Sequence, residues 1–146
     1  MQDNKTNPAA DYAALIAEEV QALDRLVGGL YARRDASLQE FWDDCETVGV
    51  NPEALEDGYA YAFGAWLENC LAVEVFVGSV RRDARRVEVL RTCGGPRCEI
   101  TRSDDDGAAV TVTVHDGGET ATVRVYASSV AEALDEFADS FEGVTR

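Results

Sequence analysis

YAYAFGAWLENCLAVEVFV (residues 59–77) and, after a basic linker, VEVLRTCGGPRCEI (residues 87–100) decide how this chain folds. The first stretch changes period midway. Tyr59, Phe63, Trp66, Leu67 and Cys70 recur at helical spacing, then Leu71, Val73, Val75 and Val77 alternate at strand spacing. The second stretch reads as a β-hairpin closed by Gly94-Gly95-Pro96. A buried helix running straight into a strand, followed by a hairpin, makes the core of one small domain.

The flanks extend this pattern. Asn7-Pro8 supplies a helix cap and a first-turn proline, and Leu15, Ile16, Val20, Leu23, Leu26, Val27, Leu30 and Tyr31 form one apolar stripe, with Glu18, Glu19 and Asp24 off it. Ser37-Leu-Gln-Glu40 is a capping box that opens a second helix, with Leu38, Phe41, Trp42 and Cys45 presented and Gly49 ending it. Asn51-Pro52 repeats the start signal and opens the third, which contains Tyr59 through Cys70. Downstream, Val110, Val112 and Val114 alternate with threonines, Asp116-Gly117-Gly118 signals a hairpin, and Ala121, Val123 and Val125 return. Ser129-Val-Ala-Glu132 is another capping box, opening a helix with Val130, Leu134, Phe137 and Phe141 inward. The expected fold is α+β: three N-terminal helices, an antiparallel sheet of about five strands, and a C-terminal helix, with the helices on one face of a meander. At 146 residues this is a single domain. Its parts are a loose tail over 1–6, a helical part over 7–70, the sheet over 71–127 and the last helix over 128–143.

Charge is the strongest compositional signal. The formal net charge is −15, from 13 basic and 28 acidic side chains. Residues 81–102 oppose the trend with Arg81, Arg82, Arg85, Arg86, Arg91, Arg97 and Arg102 against three acids. Such a chain repels nucleic acid and anionic membrane and is drawn to basic surfaces. The arginine island reads as internal neutralisation of the acidic helices or as a contact patch. The acidity itself has three readings: a solvated face, salt adaptation (one Lys against twelve Arg), or imitation of a polyanion. Duplex DNA carries one charge per about 1.7 Å, so 15 net charges correspond to roughly 25 Å of duplex.

Catalytic patterns find little support. No P-loop, G-x-G-x-x-G, G-x-S-x-G or H-E-x-x-H pattern occurs, and the single histidine, His115, sits beside a hairpin tip. Gly94-Gly95-Pro96 beside Arg97 reads as a tight turn or as an anion cradle, and Asp104-Asp105-Asp106-Gly107 lacks the spaced ligands of a calcium loop. Cys93 and Cys98 flank the glycine turn, which leaves three readings: a disulfide, half of a zinc site completed by Cys45 and Cys70, or plain packing. No enzyme and no cofactor is expected. No 18-residue apolar run occurs and the N-terminus is polar and acidic, so the chain reads as cytoplasmic, without a signal peptide or membrane helix.

Trp66-Leu67-Glu68-Asn69-Cys70, the valine strand after it, and Val89-Leu-Arg-Thr-Cys-Gly-Gly-Pro96 resemble a family of small proteins of phages, plasmids and integrative elements. That family pairs a W-L-E-x-C helix end with an L-x-T-G-G-P hairpin. The likeness spans residues 60–102, and Cys93 stands between Thr92 and Gly94 where the family pattern has none. It implies no particular activity and no site residues. In charge and size the chain is also similar to acidic antirestriction and anti-CRISPR proteins that imitate DNA. That likeness implies a cytoplasmic inhibitor, in a bacterial or archaeal host, that occupies the basic surface of a defence nuclease or its targeting complex. The expected binding residues are surface acids: Glu18, Glu19, Asp43, Asp44, Glu132, Asp135, Glu136, Asp139 and Glu142. The alternative is an acidic interaction module, of immunity-protein or salt-adapted type, without mimicry. Oligomeric state stays open, a dimer included.

Overall fold

The computed structural model describes residues 7–28, 38–55, 61–77, 85–92, 96–103 and 107–142. Helices α1 (Pro8–Val27), α2 (Leu38–Val48) and α3 (Tyr61–Glu68) come first, with a 3-10 turn at Pro52–Leu55 between the last two. Strands β1 (Ala72–Val77), β2 (Arg85–Thr92), β3 (Arg97–Ser103), β4 (Ala109–Asp116) and β5 (Glu119–Tyr126) follow, then helix α4 (Ser128–Glu142). The strands pair antiparallel in sequence order, an α+β meander.

Local chemistry sets the boundaries. Asn7 Oδ1 accepts the Ala10 amide at 3.1 Å and Pro8 occupies the first turn of α1. Gly49 ends α2 at φ +84°, and Gly117 and Gly118, at φ +60° and +88°, form the two-residue turn between β4 and β5. Gly28 serves a different need: a Cβ there would come within 2.8 Å of Ser129 Oγ, so its bareness lets α1 end against the start of α4.

The helices lie on one face of the sheet, α1 across β4 and β5 with α4 beside it, and α2 and α3 packed on α1. Val87, Val89, Cys98, Ile100, Val110, Val112 and Val114 point inward from the strands and meet Val20, Leu23, Leu26, Trp66 and Leu134 in one continuous core. The threonines of β4 and β5 are on the other face, half-buried or exposed.

Several local readings need correction. Asn51-Pro52 opens a 3-10 turn over Pro52–Leu55; α3 is described over Tyr61–Glu68, and Tyr59 lies outside the described residues. Asn69 and Cys70 leave the helix through bonds to Trp66 O and Leu67 O, each three residues back and 3.0 Å long. Leu71 precedes the strand and is exposed. On α1, Leu15 is 60% exposed, whereas Glu19, one turn later on the same flank, is buried because Trp66 of α3 closes over it. Ser129 and Glu132 form no capping box, for α4 starts two residues earlier than such a box requires: the Ala131 amide bonds Ala127 O, so Ala127 is the N-cap and Ser129 the second helical residue. The cap comes from α1, where Asp24 Oδ1 accepts the Val130 amide at 2.9 Å.

Candidate functional site

Beneath the helical layer sits a knot of charge. Glu19 Oε2 accepts the Trp66 indole N–H at 2.7 Å and Arg91 Nε at 2.8 Å, and its Oε1 accepts Arg91 Nη2 at 3.2 Å. The backbone delivers Arg91 through a bulge. Leu90 pairs with Glu99 and Thr92 with Cys98, so Arg91 is the extra residue of β2. Its guanidinium is held charged above its usual range, chiefly by the Glu19 hydrogen bond. The same carboxylate thus ties α1 to α3 and to the sheet.

Two further arginines are used inside the fold. Arg102, 8% exposed, holds Asp135 of α4 through Nε at 3.1 Å and Nη2 at 2.9 Å, and donates from Nη1 to the carbonyls of Gly107 and Ala109. Arg25 grips Asp44 with two bonds of 2.8 Å, joining α1 to α2. Arg86–Glu88 and Arg97–Glu99 pair along the open face of the sheet at 2.7 Å and 2.9 Å. Of the arginine island, Arg91 and Arg102 neutralise acids of the helices and Arg86 and Arg97 pair with acids of their own strands; Arg81, Arg82 and the side chain of Arg85 lie outside those described.

These pairs sort the nine expected binding acids. Glu19 and Asp44, 8% and 7% exposed, are not surface acids: Glu19 pairs with Arg91 beneath the helices, and Asp44 lies on the packed side of α2, covered by Arg25 of α1. Asp135 is half-buried against Arg102. Glu18, Asp43, Glu132, Glu136 and Asp139 are exposed, while the Glu142 side chain lies outside those described. Asp43 accepts from Gln39 Nε2 at 2.9 Å. Asp11, Glu40 and Glu46 are also exposed on α1 and α2, and the same polar-face periodicity points to them.

The elements divide the charge unevenly. The four described helices and the 3-10 turn carry 15 acidic side chains and one basic, net −14; the five strands carry 5 acidic and 6 basic, net +1. Arg91 and Arg102 reach from the strands to helical acids, so by layer the balance is −12 on the helical side and −1 on the rest of the sheet. One layer is acidic and the other nearly neutral.

Other chemistries are weakly provided for. Among the described residues no group of three His, Cys, Asp or Glu side chains is placed to hold a metal ion. Cys45, Cys70 and Cys98 are free thiols. Burial pushes Cys98 up to about 12 and Cys70 up to about 11, and raises Cys45, so none is an activated nucleophile. Cys93, Gly94-Gly95 and Asp104–Asp106 lie outside the described residues. Exposed His115 meets Thr120 Oγ1 through Nδ1 at 3.1 Å. A depression between Ala72, Glu74, Glu88, Leu90, Arg97 and Glu99 holds about 50 Å³, space for water and too little for a substrate. No described helix is long and apolar enough to cross a membrane.

No protein-family model matches the chain, and neither does any curated protein or solved structure.

Proposed function

We propose that this protein is a non-enzymatic binder whose acidic helical layer occupies the basic, nucleic-acid-binding surface of a protein, as a mobile-element inhibitor of a bacterial defence nuclease or its targeting complex would. The partition of charge carries this reading: net −14 on the helical elements against +1 on the strands. Random acidity would leave both faces of the sheet alike. Five described arginines pair within the fold, with Glu19, Asp44, Asp135, Glu88 and Glu99, while Glu18, Asp43, Glu132 and Glu136 are exposed on the helices. Glu132 and Glu136 are one helical turn apart, about 6 Å, and Asp139 lies about 4.5 Å further along α4. The mean step of about 5.3 Å falls between the axial spacing of successive phosphates on one strand of duplex, about 3.4 Å, and that of alternate ones, about 6.8 Å. Direct nucleic-acid binding is disfavoured by the same field.

The excess of Arg over Lys keeps a second reading in view, an acidic module adapted to salt. The two separate on dilution. A salt-adapted domain loses its helical circular dichroism below molar salt, and the proposed inhibitor stays folded at about 20 mM. The inhibitor reading is tested with a purified defence nuclease complex and labelled target duplex. Stoichiometric protein should block duplex binding, and Glu132→Gln/Glu136→Gln/Asp139→Asn should relieve the block at least tenfold. Equal inhibition by wild type and variant across a panel of such complexes, or none by either, would count against it.

A further inference from the structure

Three large side chains stand exposed among the acids of the described helices: Leu15, Tyr61 and Trp42, of which Trp42 is the one with an indole face. Trp42 on α2 is 55% exposed, whereas the chain's other tryptophan, Trp66, is fully buried. Helix α2 already has a packed side, with Asp44, Cys45 and Val48 inside and Phe41 half-buried. Trp42 lies off that side. Exposed Gln39 and Glu46 are three residues before and four after it, and exposed Asp43 is next to it. Asp43 is held in place: its carboxylate accepts from Gln39 Nε2 and its carbonyl from Thr47 Oγ1, both at 2.9 Å.

An indole left half in water forgoes burial that a partner can restore, and tryptophan is enriched among the hot spots of protein interfaces. The surrounding chemistry selects the occupant. The indole face attracts cations better than any other side chain, and carboxylates beside it reinforce the attraction. A guanidinium can lie flat on the ring while donating two parallel hydrogen bonds to a carboxylate; an ammonium does neither as well. A second copy of this chain is a poor occupant, because its own helical layer carries the same sign.

We infer that Trp42 is the anchor of the partner surface: an arginine of a basic protein segment stacks on its indole and pairs with Asp43 or Glu46. This rests on the acidic layer being the binding surface. The probe is a synthetic ten-residue peptide of alternating arginine and serine, with a lysine counterpart, titrated at about 20 mM salt and read by anisotropy and tryptophan emission. The arginine peptide should bind and change the emission, and the lysine peptide should bind several-fold more weakly. Trp42→Ala should weaken arginine-peptide binding about threefold to thirtyfold. On the unmodified chain, caesium should quench the exposed tryptophan several-fold better than iodide. Stronger quenching by iodide overturns the inference without any variant. If the arginine peptide binds and Glu132→Gln/Glu136→Gln/Asp139→Asn weakens it while Trp42→Ala does not, the anchor is wrong and the acidic layer stands. Equal affinity for the two peptides also removes the anchor. No binding of either peptide overturns both.

Discussion

Glu19 is the acceptor for two donors, the Trp66 indole and the Arg91 guanidinium, that would otherwise lie stranded under the helices. Removing one member of such a buried pair is costlier than removing both, since the survivor keeps its desolvation penalty and loses its partner. Glu19→Ala should therefore lower unfolding free energy by about 3–5 kcal/mol in urea titration, and Glu19→Ala/Arg91→Met by clearly less than the sum of its single changes. A loss under about 1 kcal/mol for Glu19→Ala would mean that water reaches the knot. The thiols nearby give the molecule an alkaline limit. Cys70 and Cys98 have folded values of about 11 and about 12, above the ordinary value of 9.0. The folded state thus holds protons that the unfolded state releases between pH 9 and 12, and stability falls as pH rises through that window. Urea midpoints should be level from pH 7 to 8.5 and drop by pH 10. Peptide mapping after thiol alkylation at pH 8 should find Cys45, Cys70 and Cys98 modified only when urea is present.

At the scale of elements, α1 and α4 meet at one carboxylate and one bare backbone. Asp24→Ala removes the cap of α4 and should cost about 1–2 kcal/mol, with hydrogen exchange quickening in the first turn of α4 and little change in the sheet. Protection unchanged at Val130 and Ala131 would show that the cap is dispensable. The same junction shows why some elements were legible and others were not. Alternating valines with Asp116-Gly117-Gly118 between them state a hairpin in ten or so residues, and Asn7-Pro8 states a helix start in two. Those signals are local. The cap from Asp24 to Val130 spans 106 positions and the Glu19–Arg91 pair spans 72, so no window of sequence contains either. A glutamate beside an apolar stripe looks solvated until Trp66 and Arg91 are seen to close over it. The end of the third helix is illegible for a similar reason: Phe63, Trp66 and Cys70 keep helical period past Glu68, and the period alone does not show where the backbone changes course.

Across the whole molecule, the candidate site was half legible. The acids of α4 were visible as the polar face of an amphipathic helix, and five of the nine expected positions are exposed. Which acids are internally neutralised depends on where the arginines fold to, and that is a property of the tertiary structure. The result is a protein with an acidic helical layer and a nearly neutral sheet. Repulsion within the acidic layer should make added salt mildly stabilising. The most direct test is capture on the immobilised protein from bacterial lysate at about 50 mM salt, eluted with duplex DNA and read by mass spectrometry. The expected result is a nucleic-acid-binding defence protein that is held by the wild type, displaced by duplex, and not held by Glu132→Gln/Glu136→Gln/Asp139→Asn. Retained proteins that ignore the duplex and bind wild type and variant alike would contradict the acidic layer as the working surface.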